Sequence, residues 1–227
     1  VIDLANALIS MGAKIEGAGG SIIRIEGVNE LKPLDYRIIP DRIEAGTFMA
    51  IAGMTFGDIT LKGCNPGHLD ATIFKLKEAG IIFESVPEGL RVIGKTRPNS
   101  TNVTTMPYPG FPTDMQAQFM ALMSISEGTS IIRENIFENR FMHVAELRRM
   151  GADISVEGGT ATVKGVEKLK GAPLMATDLR ASASLVVAAL SARGETVVHR
   201  IYHLDRGYEK MEEKLKKIGA DIKRVRE

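Results

Sequence analysis

One cysteine, Cys64, is all that this chain of 227 residues contains. That excludes an intrachain disulfide and any multi-cysteine metal site, and it fits a reducing cytoplasm. Excess charge is lacking as well: 29 Lys and Arg stand against 28 Asp and Glu, a formal net charge of +1. No global field points to nucleic acid or to an anionic membrane surface, so any recognition of anions has to be local. No apolar run reaches ~18 residues, and nothing reads as a membrane span. His68, His143, His199 and His203 have no metal-type spacing with acids, so no metal is expected. Gly17-Ala18-Gly19-Gly20 lacks the strand-to-helix context of a dinucleotide loop and reads as a hairpin turn. An initial Met is missing too. Val1 leads directly into an amphipathic run (Ile2, Leu4, Ala5, Leu8, Ile9) without signal-peptide flanks, so the chain reads as beginning mid-protein.

What is present is repetition on a base of 44% hydrophobic residues, enough to fill a core. The pattern Leu-x-x-x-Gly-Ala-x-Ile occurs over 8–15, 147–154 and 215–222, with a degenerate copy over 76–83. Its glycines (Gly12, Gly80, Gly151, Gly219) lie 68, 71 and 68 residues apart. Each reads as the left-handed residue that ends a helix before a strand. A second recurring element is a glycine turn ahead of a β-branched run, at Gly57, Gly128 and Gly194. A helix opening on an acid is expected before each, over 41–55, 114–127 and 178–193. Thr113 with Gln116, and Asp41 with Glu44, have the form of capping boxes.

The unit therefore reads as βαβαββ, roughly 70 residues long. Three units are expected over 36–227, and residues 1–31 read as the last helix and strand pair of an earlier one. Lys32-Pro33-Leu34-Asp35 reads as the crossing, which sets domains at 1–34 and 35–227. The helices around Met49, Phe119 and Leu185 are apolar on much of their circumference. A helical core wrapped by sheets is expected, in the α/β class.

The acid-bearing helix starts are candidate anion sites, because their first N–H groups are unpaired. Asp41, Arg42, Asp114, Asp178 and Arg180 cluster there. Twelve residues after each turn glycine come Leu69, Arg140 and Arg206. The ordinary role of such arginines is ion pairing between neighbouring modules. Repetition adds that equivalent ends share one rim, where Arg140, Arg180 and Arg206 are able to converge on a compact carboxylate or phosphate. Asp114 would be the carboxylate available there as a base, with His143 supporting the rim through a hydrogen bond. Cys64 has no paired base and reads as a structural thiol. The 11 methionines read as core filling.

Five stretches, 40–47, 111–119, 137–143, 175–185 and 200–208, resemble the bacterial UDP-N-acetylglucosamine enolpyruvyl transferases, which begin peptidoglycan precursor synthesis. The likeness runs over the whole chain but covers only the C-terminal half of a family sequence. It implies two domains, each an inside-out α/β barrel of three βαβαββ units, with substrates in the cleft between them and no cofactor. It implies transfer of the enolpyruvyl group of phosphoenolpyruvate to the 3-hydroxyl of UDP-N-acetylglucosamine, with release of phosphate. Asp114 matches the acid at that hydroxyl, and Thr113 and Ile136 match contacts to the nucleotide sugar. Arg140, Arg180 and Arg206 match the cationic ring for phosphoenolpyruvate, with Asp178 an acid beside it. The family's catalytic loop and its lysine-asparagine pair lie in the half not represented here, and Cys64 does not match the loop cysteine. The short strand that completes the second domain is not represented either, so this chain alone is expected not to turn over. The shikimate-pathway enolpyruvyl transferases and a non-catalytic fragment or paralogue of the same fold are the rival readings.

Overall fold

Four helices end on the same device. Gly12, Gly80, Gly151 and Gly219 take φ of +100°, +92°, +92° and +98°, a conformation that strains any residue with a Cβ. The next N–H reaches back to the leucine carbonyl of the repeat at 3.0, 3.0, 3.0 and 3.1 Å, from Ala13, Ile81, Ala152 and Ala220. The helix C-termini are thus closed by backbone alone, as the sequence pattern leads one to expect.

The structure is a computed structural model and describes residues 1–225. The chain forms two compact units, Val1–Asp41 and the described residues from Arg42 onward. The first contains α1 (Ile2–Ser10) and an antiparallel pair, β1 (Lys14–Glu16) and β2 (Arg24–Glu26). Gly17 and Gly19, both at positive φ, form the expected hairpin turn.

The second unit follows the repeat. Its first module has α2 (Arg42–Thr55), β3 (Asp58–Lys62), α3 (Asp70–Glu78), β4 (Ile82–Val86) and β5 (Gly89–Ile93), with the antiparallel sheet order β3-β5-β4. The middle module has β6 (Val103–Thr104), α4 (Gln116–Met123), β7 (Thr129–Arg133), α5 (Val144–Arg149), β8 (Asp153–Glu157) and β9 (Thr160–Lys164). Its sheet runs β6-β7-β9-β8, parallel at β6–β7 and antiparallel elsewhere. The third module has β10 (Pro173–Met175), α6 (Leu179–Ala189), β11 (Val197–His199), α7 (Tyr202–Asp205) and α8 (Met211–Lys217), with β10 and β11 parallel.

Only the middle module carries all six expected elements. Residues 36–41 form no strand ahead of α2, and residues 218–225 form none after α8. A strand exists through the neighbour that takes its backbone hydrogen bonds. β11 pairs only with β10 among the described residues, so the segment after α8 has no antiparallel partner of the kind β9 gives β8. Residues 226 and 227, the end of the expected third module, lie outside the described residues. A smaller difference concerns the turns: Phe56 (φ +55°) takes a left-handed conformation at the first, whereas Gly128 and Gly194 take it at the other two.

The core is the expected helical one. α2, α4 and α6 pack on one another, and all eight residues of α4 are buried. Phe119, Met120, Leu122 and Met123 are 0–1% exposed, and each fully buried side chain of this kind contributes about 1.5–3 kcal/mol. Close approach of α2 rests on Gly53, where a Cβ would sit 2.3 Å from Ile81 Cδ1. No helix among the described residues is long and apolar enough to cross a membrane.

Candidate active site

The approach to α4 is a 3₁₀ turn, Thr113–Met115, following the extended Pro112. The Met115 N–H donates to the Pro112 carbonyl at 2.9 Å and the Gln116 N–H to Thr113, so backbone carbonyls already take the first donors. The capping box expected of Thr113 and Gln116 is consequently not formed. The Thr113 hydroxyl instead donates to Glu134 Oε2 at 2.8 Å, and neither amide atom of the buried Gln116 has a partner.

Asp114 is left to project from this turn. Its Oδ1 accepts from Arg140 Nη2 at 2.8 Å and its Oδ2 from Arg180 Nη2 at 3.2 Å. The carboxylate is 37% exposed, and the two arginine side chains are 23% and 15% exposed. One acid is therefore held between two planar cations and still reachable from solvent, a combination suited to accepting a hydrogen bond next to a bound anion.

Each arginine is itself supported. Arg140 comes from the loop between β7 and α5, directly after Asn139 at φ +55°, and lies over the Phe137 ring at 5.0 Å. Asn is among the residues that tolerate this conformation. Arg180 is in the first turn of α6 and lies over the Tyr208 ring at 5.8 Å, with Nη1 3.4 Å from the phenol oxygen. Burial works against its charge, but the Tyr208 phenol and the Asp114 carboxylate outweigh it and hold the guanidinium above its ordinary value. The Tyr208 hydroxyl also meets Thr47 Oγ1 at 2.8 Å and Gln118 Nε2 at 3.2 Å, which ties all three inner helices to one buried phenol.

Asp178 has the role that was expected at Thr113. It is the N-cap of α6, its Oδ1 accepting from the Arg180 and Ala181 N–H groups, both at 2.9 Å. Arg206 stands apart from the cluster: it ends α7, is exposed, and makes no hydrogen bond or ion pair among the described residues. Its neighbour Gly207 packs against Leu179 at the start of α6. Ile136, 38% exposed, is presented by a loop whose backbone is bound by Glu134. His143 is 2% exposed, but its Nε2 has no partner, so the expected hydrogen bond to the rim is absent from that atom. Burial pushes its pKa down to about 4, with Arg140 acting in the same direction and Asp178 against it. Burial also pushes the Cys64 thiol up, away from a reactive thiolate. Among the described residues no group of three or more His, Cys, Asp or Glu is placed to hold a metal.

The structure thus brings Asp114, Arg140 and Arg180 together, sets Thr113 and Ile136 beside them through Glu134, and leaves Arg206 outside. Glu134, Tyr208, Thr47 and Gln118 were not legible as site residues. Glu134 resembles any acid at a strand end, and the other three become significant only through contacts between modules.

A helical core within sheets built on a βαβαββ repeat is the fold of an enolpyruvyl transferase domain. An enolpyruvyl transferase of known structure, NikO from Streptomyces tendae, superposes on 99% of the chain with a TM-score of 0.88 at 32% identity, over 54% of its own length. The EPSP synthase of Acinetobacter baumannii matches with a TM-score of 0.73 at 19% identity, a likeness of fold. The family described as EPSP synthase (3-phosphoshikimate 1-carboxyvinyltransferase) matches residues 1–215, and the chain belongs to that family. Curated relatives include the UDP-N-acetylglucosamine 1-carboxyvinyltransferases of Thermodesulfovibrio yellowstonii, 67% identical, and Trichlorobacter lovleyi, 62% identical, each over all of this chain. The chain spans 55% and 54% of their lengths, about half.

Proposed function

We propose that this chain supplies one half of a UDP-N-acetylglucosamine 1-carboxyvinyltransferase, which moves the enolpyruvyl group of phosphoenolpyruvate to the sugar 3-hydroxyl and releases phosphate. The observation that carries this reading is 67% identity over every residue of the chain to a relative of that name, against 19% to a known EPSP synthase structure. Residues 1–34 are the tail of a first domain, and residues from 35 belong to a second domain whose cleft face bears Asp114. The other half of the cleft, with the group that protonates the vinyl carbon, comes from the part of the protein not represented here. The reaction takes place in the cytoplasm, in keeping with a lone thiol, and requires no cofactor.

In this reading the sugar hydroxyl loses its proton to Asp114 as its oxygen bonds to the central carbon of phosphoenolpyruvate, whose methylene carbon gains a proton. The tetrahedral adduct then loses that second proton and phosphate, and the vinyl group returns. Arg140, Arg180 and Arg206 gather the phosphate and carboxylate charges, and Asp178 holds the first turn of α6 so that Arg180 is aimed correctly. Thr113 and Ile136 contact the nucleotide sugar.

Phosphate release by the full-length protein that carries this chain tests the reading. Release is expected with phosphoenolpyruvate and UDP-N-acetylglucosamine together, and none from this chain alone. Release that instead requires shikimate 3-phosphate would overturn it.

A further inference from the structure

We propose that Glu134 is the positioning residue of this site, a buried carboxylate that ties the Ile136–Arg140 loop to Thr113 and so sets both flanks of Asp114. Its relevance to catalysis rests on the reading above; the clamp itself does not.

Glu134 follows the last residue of β7 and is 6% exposed. A carboxylate so placed needs its lone pairs filled, and four donors fill them. Oε1 accepts from the Thr105 hydroxyl at 2.8 Å, the Ile136 N–H at 2.9 Å and the Phe137 N–H at 3.1 Å. Oε2 accepts from the Thr113 hydroxyl at 2.8 Å. Thr105 Oγ1 in turn accepts the Asn135 N–H at 2.9 Å, so three consecutive loop amides are satisfied from this one centre. No cation pairs with Glu134 among the described residues; hydrogen bonds to the loop and to the turn before α4 take that place.

The consequence is a closed circuit. Glu134 holds the Phe137 backbone, the Phe137 ring lies under Arg140, Arg140 binds Asp114, and Asp114 follows Thr113, which returns to Glu134. Asp114 and Arg140 come from segments 26 residues apart, and Glu134 is the group that touches both segments without facing the open side. A side chain that fixes the geometry of reacting groups from behind affects ligand binding and alignment more than the chemistry of any one group.

The two oxygens can be separated by substitution. Glu134→Gln keeps an oxygen for the loop amides but turns an NH₂ toward Thr113. Glu134→Ala removes both, and Thr113→Val severs the Thr113 branch without touching the loop. In the full-length protein, hydrogen exchange of the peptide spanning 135–141 is expected to quicken roughly tenfold or more in Glu134→Ala, while the β9 peptide is unchanged, which also reports an intact fold. Unchanged exchange over 135–141, or equal acceleration in β9, overturns the clamp whatever the protein turns over. In kinetics, Glu134→Ala and Thr113→Val are each expected to raise KM for UDP-N-acetylglucosamine roughly tenfold, and Glu134→Ala to raise KM for phosphoenolpyruvate as well, because the loop it holds carries Arg140. The double variant is expected to be no worse than the poorer single, since both cut one linkage. Full additivity, or kcat and both KM values unchanged in Glu134→Ala, overturns the positioning role. Absence of turnover in the wild-type protein counts instead against the proposed reaction and leaves the exchange result to decide the clamp.

Discussion

Asp114 and Asp178 occupy the same place in successive modules, at the mouth of an inner helix, yet the fold uses them in opposite ways. Asp178 turns inward and caps α6 with two bonds to backbone N–H groups. At Asp114 a 3₁₀ turn satisfies the first amides through backbone carbonyls, and the carboxylate faces two guanidiniums instead. A repeated sequence position thus becomes an arginine-paired, solvent-reachable carboxylate in one copy and a structural cap in the next, according to whether the helix start has already used its donors.

The sharpest way to break this comparison is Asp114→Ala. In the full-length protein phosphate release is expected to fall about 10²- to 10⁴-fold, the range for removing a positioned base. Activity within about threefold of wild type would remove Asp114 from the chemistry. Next in size is the pH dependence of stability at His143, which lies under the field of both regions. Its folded pKa, about 4, is below the ordinary 6.5 because burial disfavours the imidazolium. The stabilisation is therefore fully present above pH 6.5 and is lost as pH falls toward about 4, by about 3 kcal/mol in all. Urea midpoints measured from pH 7 to pH 4 should fall less steeply in His143→Asn, and an identical slope would show that another group titrates.

Asp178→Ala is expected to lower unfolding free energy by about 1 kcal/mol, with Asp178→Ser largely restoring it, because a serine oxygen serves as an N-cap. Urea titration reads this directly, and equal losses for Ala and Ser would refute the capping role. The smallest stability change belongs to Arg206→Ala. An exposed side chain with no partner among the described residues should alter stability by no more than about 0.5 kcal/mol. The same variant is expected to raise KM for phosphoenolpyruvate about tenfold or more, the loss of one charge-assisted contact. A destabilised Arg206→Ala with unaltered KM would assign Arg206 to the fold.

Much of the architecture was legible because it depends on neighbours in sequence. The C′ glycines, the hairpin glycines and the apolar helices each satisfy a local rule, and each is found where the rule puts it. The exceptions have physical causes of their own. Phe56 takes the left-handed conformation at the first turn, although an aromatic residue gives no hint of it. The third module lacks its last strands because β11 has no antiparallel neighbour among the described residues. The Thr113–Gln116 pattern did not announce that Glu134, 21 residues beyond Thr113, would claim the threonine hydroxyl.

Helix and strand periods, left-handed turn positions and the ~70-residue repeat are properties of a few consecutive residues, which is why the amino-acid order alone carries them. Spacing also nominated Asp114, Arg140, Arg180 and Arg206. Which of them meet is a property of packing: Arg180 reaches Asp114 across 66 residues, and Tyr208 reaches Thr47 across 161. Only folding makes Glu134 a hub and leaves Arg206 in solvent, since a side chain's partners are whatever the tertiary arrangement brings within hydrogen-bond distance.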